Sequence, residues 1–130
     1  SVVIGDTAFR AELATTTADQ VKGLSGRDSL APQTGLLFIF ETGLAPSFWM
    51  RGMRFPLDFI WISKDCIVAD ITHDVPVPDE DATQLPVYTS AEPAAYNFEI
   101  NAGEANTHGI AVESPVRFLG VPAESSVLCE

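Results

Sequence analysis

Three short runs set the terms for this chain: GLLFIF (35–40), LDFIWIS (57–63) and YNFEIN (96–101). Their length and their β-branched and aromatic content are those of strands. GLLFIF has no polar side, which predicts a strand covered on both faces. YNFEIN alternates, with Tyr96, Phe98 and Ile100 on one side and Asn97, Glu99 and Asn101 on the other. AFRAELA (8–14) does the same, setting Phe9, Ala11 and Leu13 against Arg10 and Glu12, so both read as half-buried strands.

The connections are mostly turns. In TTTADQVKGL, Thr17 and Gln20 have capping-box spacing and Gly23 is a stop, predicting a short helix over about 18–23. AGEANTHG (102–109) predicts a second one, closed by Gly109. GRDSLAPQTG (26–35) is turn chemistry, ETGLAP (41–46) a loop, and SKDC (63–66) a hairpin turn into IVADIT (67–72). HDVPVPDEDATQLP (73–86), rich in proline and acid, predicts a long exposed loop, and VRFLGV (116–121) a last strand. Strands joined by turns rather than by full crossover helices argue against a doubly wound parallel sheet. The expected fold class is mainly β, α+β at the margin: a small, mostly antiparallel curled sheet, open barrel or sandwich with two short helices. One domain is expected over residues 1–119, with 120–130 a strand end and polar tail.

The net charge of −11 is unevenly placed, with twelve of eighteen acids but only two of seven bases after residue 60. Such a chain is repelled by phosphate backbones, so nucleic acid and anionic membrane are poor partners. No apolar run approaches the ~20 residues of a membrane-spanning helix. SVVIGDTAFR at the N-terminus lacks the basic-then-apolar pattern of a signal peptide. Cys66 and Cys129 stand far apart and in no metal-type spacing. A disulfide between them requires an oxidising compartment, and the penultimate position of Cys129 argues against one.

The segment SFWMRGMRFPLD (47–58) mixes aromatic, thioether and guanidinium groups. As a strand bent at Gly52 it places Phe48 and Met50 on one side and Ser47, Trp49 and Arg51 on the other. Arg51 and Arg54 can then flank one spot, with Arg27 from the earlier turn beside them. Guanidinium forks next to an indole suit carboxylates, phosphates or sugars, whereas ion pairs with Asp28, Asp58 or Glu99 are the structural alternative. Met50 and Met53 are too few for a copper(I) site, and Met50 reads as core. His108 suits a helix end, and no nucleophile accompanies His73. Asp79, Glu80 and Asp81 lack the pattern of a calcium loop. Asp58 and Glu99 are the carboxylate pair that glycan chemistry would require.

GLSGRDSL (23–30), GLLFIF, SFWMRGMRFPLD, YNFEINAG (96–103) and HGI (108–110), in this order over roughly residues 8–119, closely resemble the Domain of Unknown Function 192 (DUF192) family. Ser25 and Met53 stand where that pattern commonly has methionine and threonine. Cys66 stands at its usual hairpin glycine, and Phe98 at its usual leucine. The resemblance implies a small β-rich domain of bacteria and archaea with no established activity. Members are often secreted or membrane-tethered, which implies an extracytoplasmic mature form. The leading expectation is a non-catalytic binding or accessory domain for a small anionic or sugar-like ligand. Its site is expected at Arg27, Trp49, Arg51, Arg54, Asp58, Glu99 and Asn101, with no cofactor or metal. A hydrolase or lyase using Asp58 and Glu99, and a protein-interaction module around Trp49, are the alternatives. The oligomeric state is left open.

Overall fold

The computed structural model describes residues 1–40, 45–120 and 129. Among these residues, seven strands, β1 (Val2–Ile4), β2 (Thr7–Ala14), β3 (Thr34–Ile39), β4 (Leu57–Ile62), β5 (Val68–Val75), β6 (Tyr96–Asn101) and β7 (Val116–Phe118), are accompanied by two helices, α1 (Thr17–Lys22) and α2 (Glu104–Thr107). They form a single curled half-barrel sheet in the order β5-β4-β6-β3-β2-β1-β7. Every pairing is antiparallel except β2 with β3, whose connection carries α1. The curl brings the two edges together, since Ile67 bridges to Pro115 and the Val116 N–H donates to the Cys66 carbonyl. The expected mainly β class is therefore what the chain adopts.

Side chains alternate between two separate cores. The inner core takes residues from strands across the whole sheet, among them Val2, Phe9, Leu37, Ile60, Phe98, Val116 and Phe118, and α2 contributes Ala105. The outer core lies over the central strands alone. There Leu36, Phe38, Leu57, Phe59 and Trp61 are covered by Leu24, Leu30, Met50 and Met53 from the connecting segments. β3, β4 and nearly all of β6 are thus buried on both faces, as GLLFIF predicts. For YNFEIN the expectation of one exposed face fails, because the cover over the outer core also encloses Asn97 and Glu99.

Glycine is required where backbones crowd. A Cβ at Gly35 would stand 2.5 Å from Phe98 Cζ and 2.7 Å from the Glu99 carbonyl oxygen. Gly52, packed against Ser25, takes a φ of +75°, which turns the chain between Met50 and Met53. That turn interrupts the strand expected over 47–58: Leu57 and Asp58 begin β4, and among the described residues the rest makes one isolated bridge, Phe48 with Tyr88. The expected sidedness nevertheless holds, with Met50 buried and Ser47, Trp49 and Arg51 exposed.

Several further expectations are corrected. Thr16, not Thr17, caps α1, its hydroxyl accepting from the Asp19 N–H at 3.1 Å. Gln20 serves α1 differently, donating from Nε2 to the carbonyls of Ala14 and Ile39. β1 is an additional strand, and β5 continues through His73 to Val75 before the exposed loop begins. Cys66 and Cys129 are joined in a disulfide, with Cα atoms 5.3 Å apart. Cys129 is held there because its carbonyl accepts from the Phe118 N–H of β7 and its side chain joins the inner core. Cys66 keeps the left-handed backbone of a glycine, with φ 65°. The expected loop at 41–46 lies in part, and the tail at 120–130 lies mostly, outside the described residues.

Candidate ligand cavity

A cavity of about 330 Å³ opens on the outer face of the sheet, between α1 and the segment 46–49. Gln20 fixes α1 over the ends of β2 and β3, so Thr17, Val21 and Lys22 form one wall. The turn 23–25 forms a second, held by bonds from Ser25 Oγ to the Arg51 carbonyl (2.6 Å) and from the Gly26 N–H to the Gly52 carbonyl (2.9 Å). Phe38 and Phe40 line the cavity from β3 and the residue after it, their rings 6.2 Å apart and nearly parallel. Phe48 meets both rings edge-on at 4.8 and 5.9 Å, and Trp49 stands beside it, 50% exposed. The lining is thus largely aromatic and aliphatic, the usual character of a small-molecule pocket.

Glu99 is the acidic group in this lining. Cross-strand pairing sets it between Leu36 of β3 and Phe59 of β4, both outer-core residues. It is 4% exposed and, among the described residues, has neither a hydrogen-bond partner nor an ion pair. Burial away from water penalises its charged form and pushes its pKa up to about 8. At neutral pH the cavity therefore presents a predominantly protonated carboxyl, able to donate and accept one hydrogen bond, or to ionise opposite a cation.

The other residues expected at a site are dispersed. Arg27 forms a bidentate pair with Glu12 at 2.8 and 2.9 Å, which holds the Glu12 carboxyl below its usual range. Arg54 pairs with Asp28 at 2.6 Å. Arg51 lies over the Trp49 ring, 5.5 Å from its centroid, and lines a second, wider groove that also takes in Arg54 and residues of the 77–87 loop. Asn101 donates to the Leu30 carbonyl at 2.8 Å. Asp58 is fully buried and accepts three backbone N–H groups, from Asp74, Gly103 and Ala105. It pairs in register with Ile100, an inner-core residue, whereas Glu99 pairs with outer-core Phe59. The two carboxylates face opposite sides of the sheet and share no cleft, which removes the paired-carboxylate reading. Of the seven expected residues, only Trp49 and Glu99 line the cavity.

Residues 1–118 match the DUF192 family, described as "Uncharacterized ACR". The chain belongs to the DUF192 family. Among solved structures it is similar to a protein of unknown function from Novosphingobium aromaticivorans, with 32% identity and a TM-score of 0.79, covering 90% of this chain and 83% of the other. A second, from Sinorhizobium meliloti and provisionally described as a transcription regulator, shares 30% identity with a TM-score of 0.71, covering 82% and 79%. No curated protein matches the chain significantly. Two of the positions where this chain departs from the DUF192 pattern, Ser25 and Met53, line the cavity.

Gln20, Lys22, Phe38, Phe40 and Phe48 are cavity residues that were not among the expected site. A signal for them existed only in combination. The unbroken apolar runs of β3 and β4 imply a covered outer face, and Glu99 is a polar residue that pairs between them. Seeing this requires the register, which no single segment carries.

Proposed function

We propose that this DUF192 domain is a non-catalytic binding module for a small molecule, held in the cavity between α1 and residues 46–49. The carrying observation is Glu99: a carboxyl only 4% exposed and without a partner among the described residues faces an open, aromatic-lined space, and a ligand that supplies a partner there offsets the cost of its desolvation. The ligand has an apolar body against Phe38, Phe40 and Phe48 and a polar head at Glu99, with Trp49 at the mouth. An anionic head is disfavoured, because Arg27 and Arg54 are already engaged by Glu12 and Asp28 and the cavity itself holds an acid. A neutral sugar-like ring or a cationic head fits better. A thermal-shift screen of sugars, uronates, phosphorylated metabolites and small amines tests the proposal. Hits should be lost or weakened in Trp49→Ala and Glu99→Gln, and hits unchanged in both would place the site elsewhere.

A second reading, a protein-docking face, is favoured by the wider groove, where exposed Trp49, Val77 and Val87 lie with Arg51 and Arg54. Concentration-dependent size exclusion of wild type and Trp49→Ala, alone and mixed with candidate partners, separates it from small-molecule binding.

A further inference from the structure

Resting on that reading of the cavity, we propose that its ligand is an organic ammonium: an aromatic or aliphatic body carrying a protonated amine that docks against Glu99. Three features of the cavity point to this class. First, the Glu99 carboxyl has no partner among the described residues, and an ammonium supplies both charge and N–H donors to it. Second, the rings of Phe38, Phe40, Phe48 and Trp49 gather around the same space, and aromatic faces attract ammonium groups that have left water.

Third, besides Glu99, the hydrogen-bonding side chains of the lining that remain unengaged among the described residues, Thr17, Lys22, Ser47 and Trp49, belong to exposed residues, so the deeper part of the cavity offers few partners to a polyhydroxylated ligand. The Gln20 amide nitrogen is committed to two carbonyls and the Ser25 hydroxyl to a third. A sugar would bury several hydroxyls against phenylalanine without partners, whereas an ammonium pairs with the acid and turns its remaining N–H groups to the aromatic faces and the mouth. The charged groups lining the cavity, among the described residues, are Glu99 and Lys22, and Lys22 is exposed to solvent at the helix end. The net charge of −11 further concentrates small cations near the surface.

Three probes of one shape but different heads decide the matter: 2-phenylethylamine, 2-phenylethanol and phenylacetate. Each is titrated at pH 7.5 into isotopically labelled protein, reading the Trp49 indole and the Gly23 amide by NMR. The amine should bind at least tenfold tighter than the alcohol, and phenylacetate weakest. Glu99→Gln should remove the preference for the amine, bringing it down to the level of the alcohol. Equal binding of amine and alcohol at these residues, or an amine indifferent to Glu99→Gln, overturns the ammonium assignment and leaves the binding module standing. Absence of any perturbation at Trp49 and Gly23 by all three probes overturns both.

Discussion

Asp58 and Glu99 stand on neighbouring strands, one step apart in register, and face opposite sides of one sheet. That offset by a single residue separates their roles. Asp58 binds the backbone at Asp74, Gly103 and Ala105, whereas Glu99 is left in an apolar cavity without a partner among the described residues. One carboxylate organises the fold, and the other is a cost to the fold that, in our proposal, a ligand recovers.

The first prediction follows from this asymmetry. Asp58→Ala strands three N–H donors around a buried site and should lower unfolding free energy by about 3 kcal/mol or more. Glu99→Gln, which retains shape and removes the ionisable proton, should be neutral or stabilising at pH 7.5. Urea denaturation of both variants checks this. Comparable destabilisation of the two would contradict the assignment.

The pH dependence has a defined sign. With Glu99 raised from 4.5 to about 8 in the folded state, the folded protein retains a proton that the unfolded chain releases. The Glu99 contribution is fully present below about pH 4.5 and declines as pH rises to about 8. Wild type should therefore lose stability relative to Glu99→Gln across this window, by on the order of 1 kcal/mol per pH unit. A constant difference between the two proteins would show that Glu99 titrates normally.

Much of the sheet was legible because its strands carry local signatures. The alternation of Tyr96, Phe98 and Ile100 marks β6 with its observed limits, and the unbroken GLLFIF correctly implies cover on both faces. What escaped was long-range. Whether Glu99 is exposed depends on Leu36, Phe59 and the cover supplied by α1 and residues 45–53, all distant in sequence. The arginines were legible as a cluster in sequence but not in space. Arg27 finds an acid the sequence did not suggest, Glu12, 15 residues away, whereas Arg54 takes Asp28, one of the ion-pair partners the sequence offered. Likewise, nothing local to Cys129 indicates that β7 will receive its carbonyl.

Close packing at Gly35 gives a third prediction. A methyl group there would overlap both Phe98 and the backbone of Glu99, so Gly35→Ala should cost about 1–3 kcal/mol and perturb the cavity floor. Thermal melting measures the first effect and the Glu99 amide shift the second.

The disulfide gives a fourth. Cys66 and Cys129 close a loop across 63 residues, so Cys66→Ser with Cys129→Ser should lose roughly 2–4 kcal/mol. Replacing Cys66 by glycine instead of serine in that pair should recover about 1 kcal/mol, because position 66 holds a left-handed backbone. Chemical denaturation of the two double variants makes the comparison. A serine variant as stable as the glycine one would argue against that backbone conformation.

The central claim is that Glu99 is an unsatisfied carboxyl awaiting a ligand, and its own titration reads this most directly. The carboxyl carbon of Glu99, followed by ¹³C NMR between pH 4 and 10, should have its midpoint near 8 in the free protein. Addition of 2-phenylethylamine should move that midpoint down by a unit or more as the ammonium stabilises the carboxylate. A midpoint near 4.5, unmoved by the amine, would contradict both the burial and the site.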